Sequence, residues 1–215
     1  MKKIYINEVA PAVKATYNRF HNQQGAEHIA SLGSMQVIFD ILHSLQPKTI
    51  LEFGAGIGTL TYFCLENCQA QVDLYEDNAF CLAKLKENLS RFKGRYYLFT
   101  DYENFRSLPH KSYDLVIVDG GPYRLFPEIL NSLDNIRVVF FEGRRFKAQQ
   151  MFRQALKKRY SFKVSRYVSS HSKCGYKMVC RQNKNSFLRF FSYCYNYLIC
   201  LADQLRVRGW KMKKI

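Results

Sequence analysis

Between Thr49 and Phe141 short apolar runs alternate with segments whose apolar residues recur at helical spacing. Thr49–Phe53, Gln71–Tyr75, Tyr96–Phe99, Tyr113–Val118 and Val138–Phe141 read as strands. Residues 59–67, 79–92, 127–133 and 146–159 read as the helices that follow them. Upstream, Val37, Ile38, Ile41, Leu42 and Leu45 share one face of a helix that Ser34 would cap from a turn at Gly33 and Gln46-Pro47-Lys48 would end. Downstream, Ser161–Val168 and Tyr176–Arg181 flank a polar loop and read as a β-hairpin. This order predicts an α/β fold: a doubly wound, mostly parallel, seven-stranded sheet with a C-terminal antiparallel hairpin and helices on both faces. Three segments follow from it. Residues 1–33 are an N-terminal helical segment, 34–181 the Rossmann-like domain, and 182–215 an aromatic and basic C-terminal extension.

The chain has 215 residues, enough for one such domain, and a hydrophobic fraction of 47% that suits a globular core. Charge changes the picture more. Thirty-three Lys and Arg face 17 Asp and Glu, a net charge of +16. From Gly143 to Ala202 there are 14 Lys and Arg and no carboxylate. A balance so divided favours anionic partners gathered on a face or edge built by the C-terminal third. The seven cysteines show neither zinc spacing nor a CxxC pair, and no apolar run is long enough to span a bilayer. With no signal-peptide pattern at Met1-Lys2-Lys3, the expectation is reduced thiols and a cytoplasmic protein, peripheral at the membrane if the extension binds lipid.

Candidate chemistry concentrates where strands end. Glu52-Phe53-Gly54-Ala55-Gly56-Ile57-Gly58 sets three alternate glycines between an apolar strand and a helix, where backbone N–H groups face a ligand. Glu76 ends the next strand, about 20 residues on, placed to accept bonds from ribose hydroxyls, with Asp77 beside it. Asp101 follows the third strand and Asp119 the fourth, within Asp119-Gly120-Gly121.

The glycine spacing with Glu52 resembles motif I of the class I S-adenosylmethionine-dependent methyltransferases, over roughly residues 34–181. The Asp119-Gly120 strand end is similar to that of the small-molecule O-methyltransferases. The resemblance implies S-adenosylmethionine as cofactor, with Gly54, Ala55, Gly56 and Gly58 forming the turn against it. It implies Glu52 towards the methionine end, Glu76 or Asp77 on the ribose, and Asp119 at the cofactor edge. Asp101 would hold the adenine amino group or would only cap a helix. Asp119 would act as general base, as a placing residue, or as a metal ligand with Glu142. Gly143 stands where the metal-dependent relatives carry Asn, so no metal site is assigned.

The expected activity is methyl transfer to oxygen of a small or membrane-associated acceptor. An RNA acceptor and a non-catalytic binding module are the alternatives. Arg144, Arg145 and Lys147 open a helix near the cofactor edge and would grip an anionic acceptor. The extension at 187–215 allows three readings: packing on the domain or on a second copy in a homodimer, an anionic membrane surface, or RNA. No catalytic role is read for any of the five histidines.

Overall fold

Parallel strands buried on both faces must be apolar throughout, and the central strands here are. β2 (Thr49–Phe53), β3 (Gln71–Tyr75), β5 (Ser112–Val118) and β6 (Asn135–Phe141) are almost wholly buried over their C-terminal halves. The computed structural model describes residues 2–105, 108–121, 123–143, 145–169 and 174–182, with residues 194 and 198. β4 (Tyr96–Phe99), β7 (Tyr160–Val168), β8 (Tyr176–Gln182) and β1 (Lys2–Tyr5) complete one sheet in the order β1-β7-β8-β6-β5-β2-β3-β4. Only β8 is antiparallel to its neighbours β6 and β7.

α1 (Pro11–His21), α2 (Leu32–Leu45), α3 (Thr59–Asn67) and α4 (Ala79–Asn88) bury their apolar sides on one face. α5 (Tyr102–Phe105), α6 (Phe126–Ser132) and α7 (Phe146–Leu156) cover the other. That second core is built around Phe53, whose ring meets Phe105, Phe126 and Phe152 at centroid distances of 5.3, 4.6 and 6.1 Å. These contacts fix the end of β2, from which the glycine turn departs.

The fold class agrees with the sequence expectation; the strand count is eight, not seven. Lys2–Tyr5 pairs with Ser165–Val168 as a parallel edge strand, and residues 1–33 are therefore not wholly helical. Four residues with two lysines show no alternation of their own, and their partner lies across nearly the whole domain. α2 starts at Leu32 with Ser31 as its cap, because the Ser31 side chain accepts from Ser34 N–H; Gly33 lies inside the first turn rather than before it. The extension beyond 182 lies outside the described residues except at 194 and 198, and so do the three readings attached to it. No helix among the described residues is long and apolar enough to cross a membrane.

One polar cluster sits inside the sheet. Asp73 on β3 is fully buried and accepts from Tyr113 Oη at 2.5 Å and from His110 Nδ1 at 2.8 Å. His110 is thereby a partner of the core rather than of the cleft. Tyr113→Phe keeps the ring and removes one donor from a buried carboxyl. It is expected to lower unfolding free energy by about 1–3 kcal/mol, measured by urea denaturation with an unchanged m-value.

Candidate functional site

The loops that leave the C-terminal ends of β2, β3, β5 and β6 converge on a cleft of ≈ 630 Å³. Its floor is Gly54 and Gly56, one wall Tyr75 to Asn78 with Cys81, the far end Asp119 to Gly121 with Glu142 and Arg145. Its roof is Tyr17, His21 and the segment Ala26 to Ser31, which comes from the N-terminal region.

Backbone bonds pin the floor. Gly54 N–H and Ala55 N–H both donate to Tyr75 O, at 2.9 and 3.1 Å, and Asp119 and Gly120 N–H donate to Phe53 O at 3.0 and 2.8 Å. Gly54, Gly56 and Gly58 all have positive φ, at 76°, 56° and 89°, which favours glycine at each. The first two are also excluded from bearing a side chain by the protein itself. A Cβ on Gly54 would lie 2.5 Å from Gly120 Cα, and one on Gly56 2.5 Å from His28 O. The glycines thus serve loop-on-loop packing as well as leaving backbone open to the cleft.

Glu76 joins the floor to the wall. Its Oε2 accepts from Gly56 N–H at 2.7 Å, and its Oε1 from Asp77 and Asn78 N–H at 3.0 and 2.9 Å. Each carboxylate oxygen carries two acceptor sites, so Oε1 is filled and one site remains on Oε2. Asp77 is exposed at the cleft wall, where Tyr75 Oη donates to it at 3.0 Å. Glu52 lies under the floor, 1% exposed, with Thr61 Oγ1 donating to its Oε2 at 2.5 Å. Its Oε1 and the nearby Thr59 Oγ1 are buried without a partner. Burial, with lesser contributions from Asp119 and Glu76 and an opposing bond from Thr61, pushes the Glu52 carboxyl up to about 8.

At the far end Asp119 pairs with Arg145 Nη2 at 2.6 Å, and Arg145 Nη1 donates to Tyr123 Oη at 3.2 Å. Glu142 Oε2 stands 3.9 Å from the same guanidinium, while its Oε1 accepts from Ser34 Oγ at 3.2 Å. Burial and the Glu142 charge raise the Asp119 carboxyl to about 7 against the opposing pull of Arg145. Arg145 therefore supplies the positive charge between the two acids that the sequence had offered to a metal. Among the described residues no three of His, Cys, Asp and Glu gather as a metal cluster.

Of the residues singled out by sequence, Gly54, Gly56, Glu76, Asp77 and Asp119 line the cleft. Glu52, Ala55 and Gly58 lie beneath or behind it, Gly58 as the cap of α3. Asp101 does not line it; its two oxygens accept from Asn104 N and Nδ2 at 2.8 and 2.6 Å, which caps α5. The roof went unread in the sequence, because polar residues at 17–31 carry no motif. Arg145 was read as a free grip for an acceptor, and the structure ties it to Asp119 and Tyr123.

The residues fit a nucleoside-sized ligand with a charged tail. The volume is right for one, the Glu76 carboxylate stands on one wall, and α3 begins without a side-chain cap behind the floor.

Residues 29–124 match the Methyltransferase small domain family. No curated protein sequence matches the chain. Among solved structures the chain resembles an O-methyltransferase from Bacillus cereus in complex with SAH, with 14% identity and TM-score 0.62, over 82% of this chain and 93% of that one. The O-methyltransferase TomG from Streptomyces achromogenes, in complex with SAM, is similar at 13% identity and TM-score 0.60, over 82% and 92% of the two chains. An rRNA methylase from Streptococcus thermophilus shares the fold at 13% identity and TM-score 0.51, over 70% and 97%.

The pH dependence of Glu52 gives a test of the floor. A carboxyl whose folded pKa is raised holds its proton in the native state after the unfolded chain has lost it. Stability is then greatest below the ordinary carboxylate range and falls as pH rises to about 8. Glu52→Gln removes that slope, up to about 1.4 kcal/mol per pH unit. Thermal unfolding between pH 5 and 8 is expected to show the wild type losing stability relative to the variant; parallel curves would contradict the assignment. The chain thus shares the fold of these methyltransferases, and its glycine turn and the strand ends at Glu76 and Asp119 fall within the residues 29–124 that match the family model.

Proposed function

We propose that the cleft binds S-adenosylmethionine and that Asp119 takes the proton of an acceptor hydroxyl, on a small or membrane-associated molecule, as its oxygen is methylated. The observation that carries this reading is Asp119 itself: a carboxyl raised to about 7, at the end of the cleft away from Glu76 and held in place by Arg145. S-adenosylmethionine supplies a methyl group already activated on a sulfonium. The chain has only to bind, orient and remove a proton. The oxygen–methyl bond forms as the sulfur–methyl bond breaks, the sulfur leaves as a neutral thioether, and the acceptor proton goes to Asp119 Oδ.

Glu76 is assigned the ribose hydroxyls, with Asp77 beside it. Glu52 is assigned the methionine end from beneath the floor. Gly54, Ala55, Gly56 and Gly58 hold the turn. Asp101 is left out of the site, since both its oxygens already serve α5. Arg145 is a positioning residue, acting through Asp119. A second reading, an RNA acceptor, is favoured by the 14 cations between Gly143 and Ala202. It differs in predicting activity that falls steeply with salt.

Calorimetric titration with S-adenosylhomocysteine tests the cofactor half. Binding is expected in the wild type, lost in Gly56→Arg, whose side chain must enter past His28 O, and weakened in Glu76→Ala. A folded wild type that binds nothing overturns the reading. For the acceptor half, Asp119→Asn is expected to lower kcat by about a hundredfold or more. The rate should rise with pH through about 7 as Asp119 ionises. Arg145→Ala removes the charge that lowers the Asp119 pKa, so its pH profile should move to higher pH, and Arg145→Lys should restore it in part. An unshifted profile would show that Asp119 is not the titrating group.

A further inference from the structure

In a parallel sheet every loop that precedes a strand lies at one edge and every loop that follows lies at the other. Charge in this chain is divided along that axis. Glu76, Asp77, Asp101, Asp119 and Glu142 follow strands and surround the cleft edge. Lysine or arginine precedes strands at the opposite edge: Lys48 before β2, Lys93 and Arg95 before β4, Lys111 before β5, Lys158 and Arg159 before β7. β8 runs the other way and brings Arg181 to the same edge, next to Lys163 near the start of β7.

Some of these cations have structural duties. Arg95 donates to Leu65, Cys68 and Ala70 carbonyls at the end of α3, Arg159 to Leu130 and Leu133 carbonyls at the end of α6, and Arg137 pairs with Asp114 at 2.8 Å. Lys48, Lys93, Lys111, Lys158, Lys163 and Arg181 are exposed, and no ion pair engages them among the described residues. Acids at this edge are Asp114, which Arg137 neutralises, Glu66 at the end of α3, which Arg91 neutralises, Glu87 at the end of α4, which pairs with Lys84, and Asp134. The seven strands from β7 to β4 make the edge roughly 30 Å wide.

We propose that this basic edge docks on an anionic lipid surface, with the cleft facing away from it. Three observations favour a lipid surface. The cations are spread over the width of the sheet, which suits a plane. The described chain leaves β8 at Gln182 on this edge. Residues 187–202, shortly beyond, hold six aromatic and four Leu or Ile residues with no carboxylate, followed by Trp210 among lysines and arginines. Aromatic and aliphatic side chains flanked by cations match the headgroup boundary of an anionic bilayer, whereas a nucleic acid offers no partner to Leu and Ile. The carboxylates around the cleft are repelled by the same surface, which fixes the orientation. The inference does not rest on the methyl-transfer reading.

The test is co-sedimentation of the full chain with phosphatidylcholine vesicles, with and without phosphatidylglycerol. Wild type is expected to bind only the anionic vesicles, and less as salt rises. Lys111→Glu/Lys163→Glu/Arg181→Glu should weaken binding about tenfold or more. Lys3→Glu/Lys14→Glu/Lys147→Glu makes the same change in net charge at exposed sites away from this edge and should weaken it less than about twofold. Circular dichroism of both variants checks folding, and Lys111→Gln/Lys163→Gln/Arg181→Gln, a milder change, should give an intermediate loss. Vesicles should leave the affinity for S-adenosylhomocysteine unchanged. Equal losses in the two charge-reversal variants, no binding to anionic vesicles, or a single-stranded RNA that binds more tightly than the vesicles and displaces them would each overturn the proposal.

Discussion

The backbone of Gly54 lies against the backbone of Gly120 with no room for a methyl group between them. This one approach sets the site. It brings the turn after β2 and the turn after β5 into contact, so that Glu76 on one side and Asp119 on the other open onto a single cleft. Phe53 supports it from below: its carbonyl receives two N–H groups of the β5 turn, and its ring is wedged among Phe105, Phe126 and Phe152. A larger residue at Gly54 would part the two turns and also meet positive φ, whereas a Cβ on Gly120 would make only a tight contact, 3.3 Å from Gly54 Cα.

Around that contact the electrostatics are arranged by depth. Glu52 is deepest and carries the largest burden of burial. Glu76 is nearly as hidden, but three backbone N–H groups compensate it. Asp119 stands between these cases, desolvated yet paired with Arg145. Glu52 and Asp119 are thus both raised by burial, Asp119 against the opposing pull of Arg145.

The sequence made the central sheet legible because buried parallel strands leave uninterrupted apolar runs such as Leu115 to Val118. The glycine turn and the acids Glu76 and Asp119 were legible for a related reason: strand ends locate the ligand edge. What stayed hidden depended on distant partners. Lys2–Tyr5 is a strand only because β7 offers it an edge, and Arg145 is tied to Asp119 only because β5 and β6 are neighbours. Asp101 shows the limit from the other side. One residue type suits both a ligand and a helix cap, and only the position of Asn104 decides between them.

The pairing of β1 with β7 has a consequence for how the molecule comes into being. Lys2 to Tyr5 find their place in the sheet only after Ser165 to Val168 have been made. The segment between β1 and α2 includes the roof of the cleft, so the roof is fastened at its leading end by almost the last strand to form. The other end of the roof is fastened earlier, because α1 packs on α3 through Phe20 and Arg19 against Tyr62. One covering of the cleft is thus held by a local helix contact at one end and by a pairing across nearly the whole domain at the other.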